Sequence, residues 1–123
     1  MKIALLGYGK MGKEIESAGI AEGETIVRKF DIDSPAEAAA LADADVCIEF
    51  STPDSVLANI RLAIQARKDI VVGTTGWYDQ LPEVRRLVQE SGQSGLLYSA
   101  NFSIGMNIFT QDAPVSIFKR DFP

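Results

Sequence analysis

The sequence predicts an α/β domain in which a parallel sheet carries helices on both faces. Three observations predict it. Apolar or β-branched runs alternate with segments of helical spacing from end to end, as strand–helix–strand units do. The length of 123 residues suits one domain, and 46% hydrophobic with 24% charged residues is the balance of a packed chain. The loops of unusual composition all follow strands, on the edge where such sheets bind ligands.

The first strand is Lys2 to Leu6, nearly all apolar and so expected to be buried on both sides. It turns at once into Gly7-Tyr8-Gly9-Lys10-Met11-Gly12. From Lys10 to about Ala21, Met11, Ile15 and Ala18 recur at helical spacing. Strand, glycine turn and helix in that order are the context of a dinucleotide-binding fingerprint. Gly7 permits the turn, Gly9 lets backbone approach a pyrophosphate, and Gly12 lets the helix pack closely on the strand. The free N–H groups and positive dipole end of that helix then face the phosphate charge. The expected architecture is a Rossmann-like, doubly wound parallel sheet.

Glu24 to Phe30 is the second strand, closed by Asp31. Ser34-Pro35-Ala-Glu37 reads as a helix start, with Ser34 as cap, Pro35 in the first turn and Glu37 completing a capping box; a short helix to about Ala42 follows. Asp45 to Phe50 is the third strand. Ser51-Thr52-Pro53-Asp54 repeats the cap pattern before a helix that buries Val56, Leu57, Ile60 and Ile64. The fourth strand, Asp69 to Val72, ends at Gly73-Thr74-Thr75-Gly76. A helix from about Leu81 to Glu90 buries Val84, Leu87 and Val88, and Gly95 to Tyr98 is the fifth strand.

Composition excludes several classes. The net charge is −5 and there is no basic block, which argues against nucleic-acid binding. No apolar run approaches the roughly 20 residues of a membrane span. With a strand expected at the very start of the sequence, no cleaved leader is expected. The single cysteine, Cys47, lies in an apolar strand and reads as a buried side chain, with neither disulfide nor metal implied. A cytoplasmic location is expected. There is no histidine, so an imidazole acid or base is beyond this chain, and no catalytic residue is assigned.

The loops suggest the chemistry. Asp31 lies about 20 residues past the glycine turn, where a carboxylate can accept hydrogen bonds from both adenosine ribose hydroxyls and repel a 2′-phosphate. NADH is therefore expected in preference to NADPH. Asp33 competes for the role, and Lys10, Arg28 and Lys29 would soften the preference. The small residues of Gly73–Gly76 would let a flat ring lie against backbone, while the threonine hydroxyls and the N–H groups reach an amide or carboxylate of a ligand. Trp77 and Tyr78 read as packing residues rather than a stacking surface.

Four segments together resemble one family. Gly7–Gly12, Glu49-Phe50-Ser-Thr-Pro53, Val72-Gly-Thr-Thr-Gly76 and Ala100-Asn-Phe-Ser-Ile-Gly-Met-Asn107 resemble, in order and spacing, the N-terminal domain of dihydrodipicolinate reductase. That reductase acts in lysine and diaminopimelate biosynthesis, delivering hydride to a cyclic unsaturated dicarboxylate. The resemblance covers residues 1–109, taken as a dinucleotide-binding domain, and leaves 110–123 as an unmatched tail. It implies that Gly7, Tyr8, Gly9, Lys10, Met11 and Gly12 hold the pyrophosphate and that Asp31 holds the adenosine ribose. It further implies that Phe50, Gly73, Thr74, Thr75, Ser99, Ala100, Asn101 and Phe102 lie along the nicotinamide half. Ile32 stands where many family members carry an arginine for a 2′-phosphate, which favours NADH.

The family's substrate domain, with its His-His pair and lysine, has no counterpart in this chain, and neither does its C-terminal return to the nucleotide domain. The chain alone is thus expected to bind cofactor without turnover. Pro114 argues against the long helix with which the family continues. The tail reads as a truncation or rearrangement, or as an edge strand through Val115, Ile117 and Phe118. Sheet surface left uncovered would favour self-association. Two other readings stand beside the reductase: a non-catalytic nucleotide-binding or regulatory module, and the first domain of another amino-acid-pathway dehydrogenase.

Overall fold

The computed structural model describes residues 1–31 and 37–98 and the strand Ser116–Phe118. The strands are β1 (Lys2–Leu6), β2 (Thr25–Phe30), β3 (Val46–Glu49), β4 (Asp69–Val72), β5 (Leu96–Tyr98) and β6 (Ser116–Phe118). The helices are α1 (Lys10–Ala21), α2 (Val56–Gln65) and α3 (Leu81–Ser91). The sheet order is β2-β1-β3-β4-β5-β6. The first five strands run parallel and β6 runs antiparallel to β5. Chain order reverses between β1 and β3, the switch point at which open α/β sheets form their ligand crevice.

Strand register brings together the loops singled out in the sequence. Leu6 pairs with Phe30 on one side and Glu49 on the other, Glu49 pairs with Val72, and Val72 pairs with Tyr98. One row therefore ends all five parallel strands. Gly7, Asp31, Phe50 and Gly73 each take the next step off the same edge. The ladder extends into that step, with Gly7 N–H donating to Phe30 O at 2.8 Å, Phe50 N–H to Leu6 O at 3.0 Å and Gly73 N–H to Glu49 O at 2.9 Å.

The alternation of β1 divides the core. Ala4 and Leu6 face the larger layer, where Cys47, Ile70, Val72 and Leu96 meet α2 through Val56, Ile60 and Ala63 and α3 through Val84 and Val88. Ile3 and Leu5 face the smaller layer, with Ile48 and with Ile15 of α1. Both sides of β1 are thus covered, which its unbroken apolar sequence requires. Burial pushes the Cys47 thiol up to about 12, so it stays protonated as a packing group. Among the described residues no helix is long and apolar enough to cross a membrane, and no cluster could hold a metal ion.

Two local expectations change. The helix expected to about Ala42 is a single 3-10 turn, Ala38–Leu41, whose one buried residue is Leu41. So short an alanine segment lacks the apolar face that holds a longer helix in place. Ile32, Asp33, Ser34 and Pro35 lie outside the described residues. The helix after β3 starts later than its cap pattern suggests, at Val56, with Ser55 in the cap position and no side-chain cap bond. Ser51, the expected cap, spends its hydroxyl on Glu49 instead. Of the tail, Ser116–Phe118 forms an edge strand, as the second of the two readings had it, pairing Tyr98 with Ser116 and Leu96 with Phe118. Val115 lies outside the described residues.

Candidate functional site

The glycine turn is built by omission. Gly7 has φ +111, and a Cβ there would overlap the Phe50 carbonyl. Gly12 is buried on α1, where a Cβ would stand 2.6 Å from the Gly7 carbonyl oxygen. Gly9 is different: a Cβ would meet nothing within 4 Å. Its freedom from a side chain leaves open space at the start of α1. That helix has no side-chain cap bond and no acidic residue in its first turn, so no side chain of its own neutralises its positive end. Lys10 is exposed and Met11 half-buried beside the smaller core layer.

Tyr8 reaches sideways. Its hydroxyl donates to Glu16 at 2.5 Å, Lys29 pairs with the same carboxylate at 3.0 Å, and the Lys29 ammonium lies 4.8 Å from the Tyr8 ring centroid. The Tyr8 bond, then Lys29, hold Glu16 below the usual carboxylate range; Glu16 in turn raises Tyr8 and Lys29. Arg28 pairs with Asp43 at 2.9 Å and donates to Ala40 O at 3.2 Å. Both basic residues of β2 are therefore engaged by the protein. Asp31 stands exposed where β2 ends.

The other half of the edge is built by filling. Glu49, the last residue of β3, is fully buried. Its carboxylate accepts from the Thr74 hydroxyl at 2.5 Å, from Asn59 Nδ2 at 2.8 Å and from the Ser51 hydroxyl. The Thr74 hydroxyl itself accepts from Ser51 N–H at 2.8 Å, so its proton is directed to Glu49. Burial raises Glu49 above the usual carboxylate range, and the three side-chain donors act against that rise. The carbonyl of Thr74 is held too, by the Trp77 indole N–H at 2.5 Å. Trp77 is buried and packs edge-on against Tyr78 and Tyr98, as a loop anchor should.

This corrects two details of the sequence reading. The Thr74 hydroxyl faces the interior rather than a ligand, whereas Thr75 is exposed. A flat ring does lie against the Gly73 backbone, but it belongs to Phe50, which a Cβ on Gly73 would overlap. The Glu49 cluster itself escaped the sequence reading. A charged residue ending an otherwise apolar strand, with Ser51 and Asn59 following at loop and helix positions, was the available signal. Ser99, Ala100, Asn101 and Phe102 lie outside the described residues.

The sequence pattern of the family described as dihydrodipicolinate reductase, N-terminus, matches residues 1–102. This chain belongs to that family. A 4-hydroxy-tetrahydrodipicolinate reductase from Christiangramia forsetii is 38% identical over 109 residues, 89% of this chain and 45% of that protein. One from Archaeoglobus fulgidus is 32% identical over 127 residues, 89% of this chain and 49% of that protein. The chain thus spans about half the length of the curated relatives it matches. A dipicolinate-bound dihydrodipicolinate reductase from Paenisporosarcina sp. TG-14 superposes with a TM-score of 0.68 at 24% identity, over 84% of this chain and 48% of that one. An imine reductase from Streptomyces aurantiacus gives 0.67 at 16% identity, over 95% of this chain and 47% of that one. At such identities the two structures speak for the fold, and family membership rests on sequence.

Proposed function

We propose that this chain is the nicotinamide-dinucleotide-binding part of a 4-hydroxy-tetrahydrodipicolinate reductase of lysine and diaminopimelate biosynthesis, with residues 1–109 as the cofactor domain. The observation that carries the reading is the row of loops leaving one sheet edge, with Gly7 and Gly12 closing the turn and Gly9 leaving it open. A pyrophosphate fits there because backbone N–H groups and the positive end of α1 replace its hydration. Family membership supports the reductase over the first domain of another dehydrogenase.

Each residue then has a role. Gly7–Gly12 receive the pyrophosphate, and Asp31 accepts hydrogen bonds from the ribose hydroxyls. Phe50, Gly73, Thr74 and Thr75, with Ser99–Phe102, border the nicotinamide half. The bound cofactor supplies the hydride, and the protein orients it and excludes water. A 2′-phosphate would meet Asp31, while Arg28 and Lys29 are already engaged by Asp43 and Glu16. NADH is therefore the preferred form. The chain has no histidine, so an imidazole proton donor must come from outside it, and this chain alone binds without turnover.

Calorimetric titration with NADH and NADPH tests the reading. NADH should bind more tightly, and Asp31→Ala should narrow the difference by weakening NADH about ten-fold. A folded sample that binds neither dinucleotide contradicts it.

A further inference from the structure

We infer that Glu49 is a positioning residue that locks the β3 and β4 loops together and so sets the shape of the nicotinamide half of the site. The inference rests on the proposed cofactor site and adds a residue to it that touches no cofactor. Glu49 and Val72 are register partners at the ends of adjacent strands, and each is followed by a loop of the site. Nothing in sheet pairing alone fixes how those loops leave the edge. Glu49 does so from below: one oxygen takes the Thr74 hydroxyl, the other takes Asn59 of α2 and the Ser51 hydroxyl.

The linkage is closed. Ser51 N–H donates to Thr74 Oγ1, and Thr74 Oγ1 donates to Glu49, so the β3 loop binds the β4 loop through one hydroxyl. The Ser51 hydroxyl is tied in further, accepting from Asn59 Nδ2 at 3.2 Å while it donates to Glu49. Above it, the Phe50 ring rests on Gly73, and Trp77 N–H holds the Thr74 carbonyl. A residue serving only the core would be cheaper as an apolar side chain, because burying a carboxylate costs free energy that its donors only offset. Glu49 itself makes no hydrogen bond to the glycine turn or to α1 among the contacts described, so its direct hold is on the β3 and β4 loops.

The test separates the two halves. The full chain and Glu49→Gln are titrated with NADH and with ADP-ribose, which lacks the nicotinamide portion. We expect Glu49→Gln to weaken NADH about ten-fold and ADP-ribose less than about two-fold. Equal weakening of both ligands, or no change in either, overturns the inference. Should Glu49→Gln fail to fold, Thr74→Val and Thr74→Ser replace it. The valine, which lacks the bridging hydroxyl, should show the split and the serine should restore binding. The same loss in both, or in neither, overturns the inference. Wild-type chain that binds ADP-ribose but gains nothing from the nicotinamide half overturns it while sparing the pyrophosphate site. Wild-type chain that binds neither ligand overturns the cofactor reading itself.

Discussion

The two halves of the ligand-facing edge are made by opposite means. Around Gly7, Gly9 and Gly12 the structure removes side chains, and backbone does the work. Around Glu49, Thr74 and Trp77 it packs side chains until the loops are held from several sides. The first half can receive a charged group with little rearrangement, because helix N–H groups already point outward. The second half depends on a buried carboxyl group and its donors, and so is sensitive to any change in them. A site can therefore be robust at one end and finely balanced at the other, on the same row of strand ends.

The largest effect should come from spoiling the omission. Gly7→Val places a branched side chain at φ +111 and into the Phe50 carbonyl. We expect a loss of about 4 kcal/mol or more, measured by urea unfolding. A loss under about 1 kcal/mol would show that the turn relaxes and that the close approach is not required.

Spoiling the filled half should cost somewhat less. Glu49→Ala strands the Asn59, Ser51 and Thr74 donors and should destabilise by about 3 kcal/mol. Glu49→Gln should cost less and should also change the pH profile. The folded chain raises Glu49 above its ordinary value of 4.5, which means that folding favours its protonated form. Its contribution is fully present below that ordinary value and is lost as pH rises through the folded value. Wild type should therefore lose stability relative to Glu49→Gln as pH rises across that window. Parallel unfolding curves for the two proteins would show that Glu49 does not titrate there.

The glycine half was legible in the sequence because omission leaves a fixed signature. Gly7, Gly9 and Gly12 sit between an apolar strand and an amphipathic helix, the order in which a dinucleotide turn is written. The parallel order was legible from alternation for the same reason. The filled half was not, since Glu49, Ser51, Asn59 and Thr74 are joined by β3–β4 register rather than by spacing along the chain. Ser51 shows the difficulty well. By local rules it caps a helix, and tertiary contact redirects its hydroxyl to Glu49. Lys29 repeats the lesson: an exposed strand lysine is nonetheless paired through Glu16 to Tyr8 of the glycine turn.

The smallest effect on stability belongs to Gly9→Ala, and it gives the most direct test of the cofactor site. The added methyl meets nothing within 4 Å, so unfolding free energy should change by less than about 1 kcal/mol. The decisive measurement is an NADH titration of wild type and Gly9→Ala side by side. The account predicts that wild type binds and that the equally stable variant binds at least about ten-fold more weakly, because its methyl group occupies the approach to the pyrophosphate. Equal NADH affinity in the two proteins, or no binding by folded wild type, would contradict the claim that this edge holds a dinucleotide.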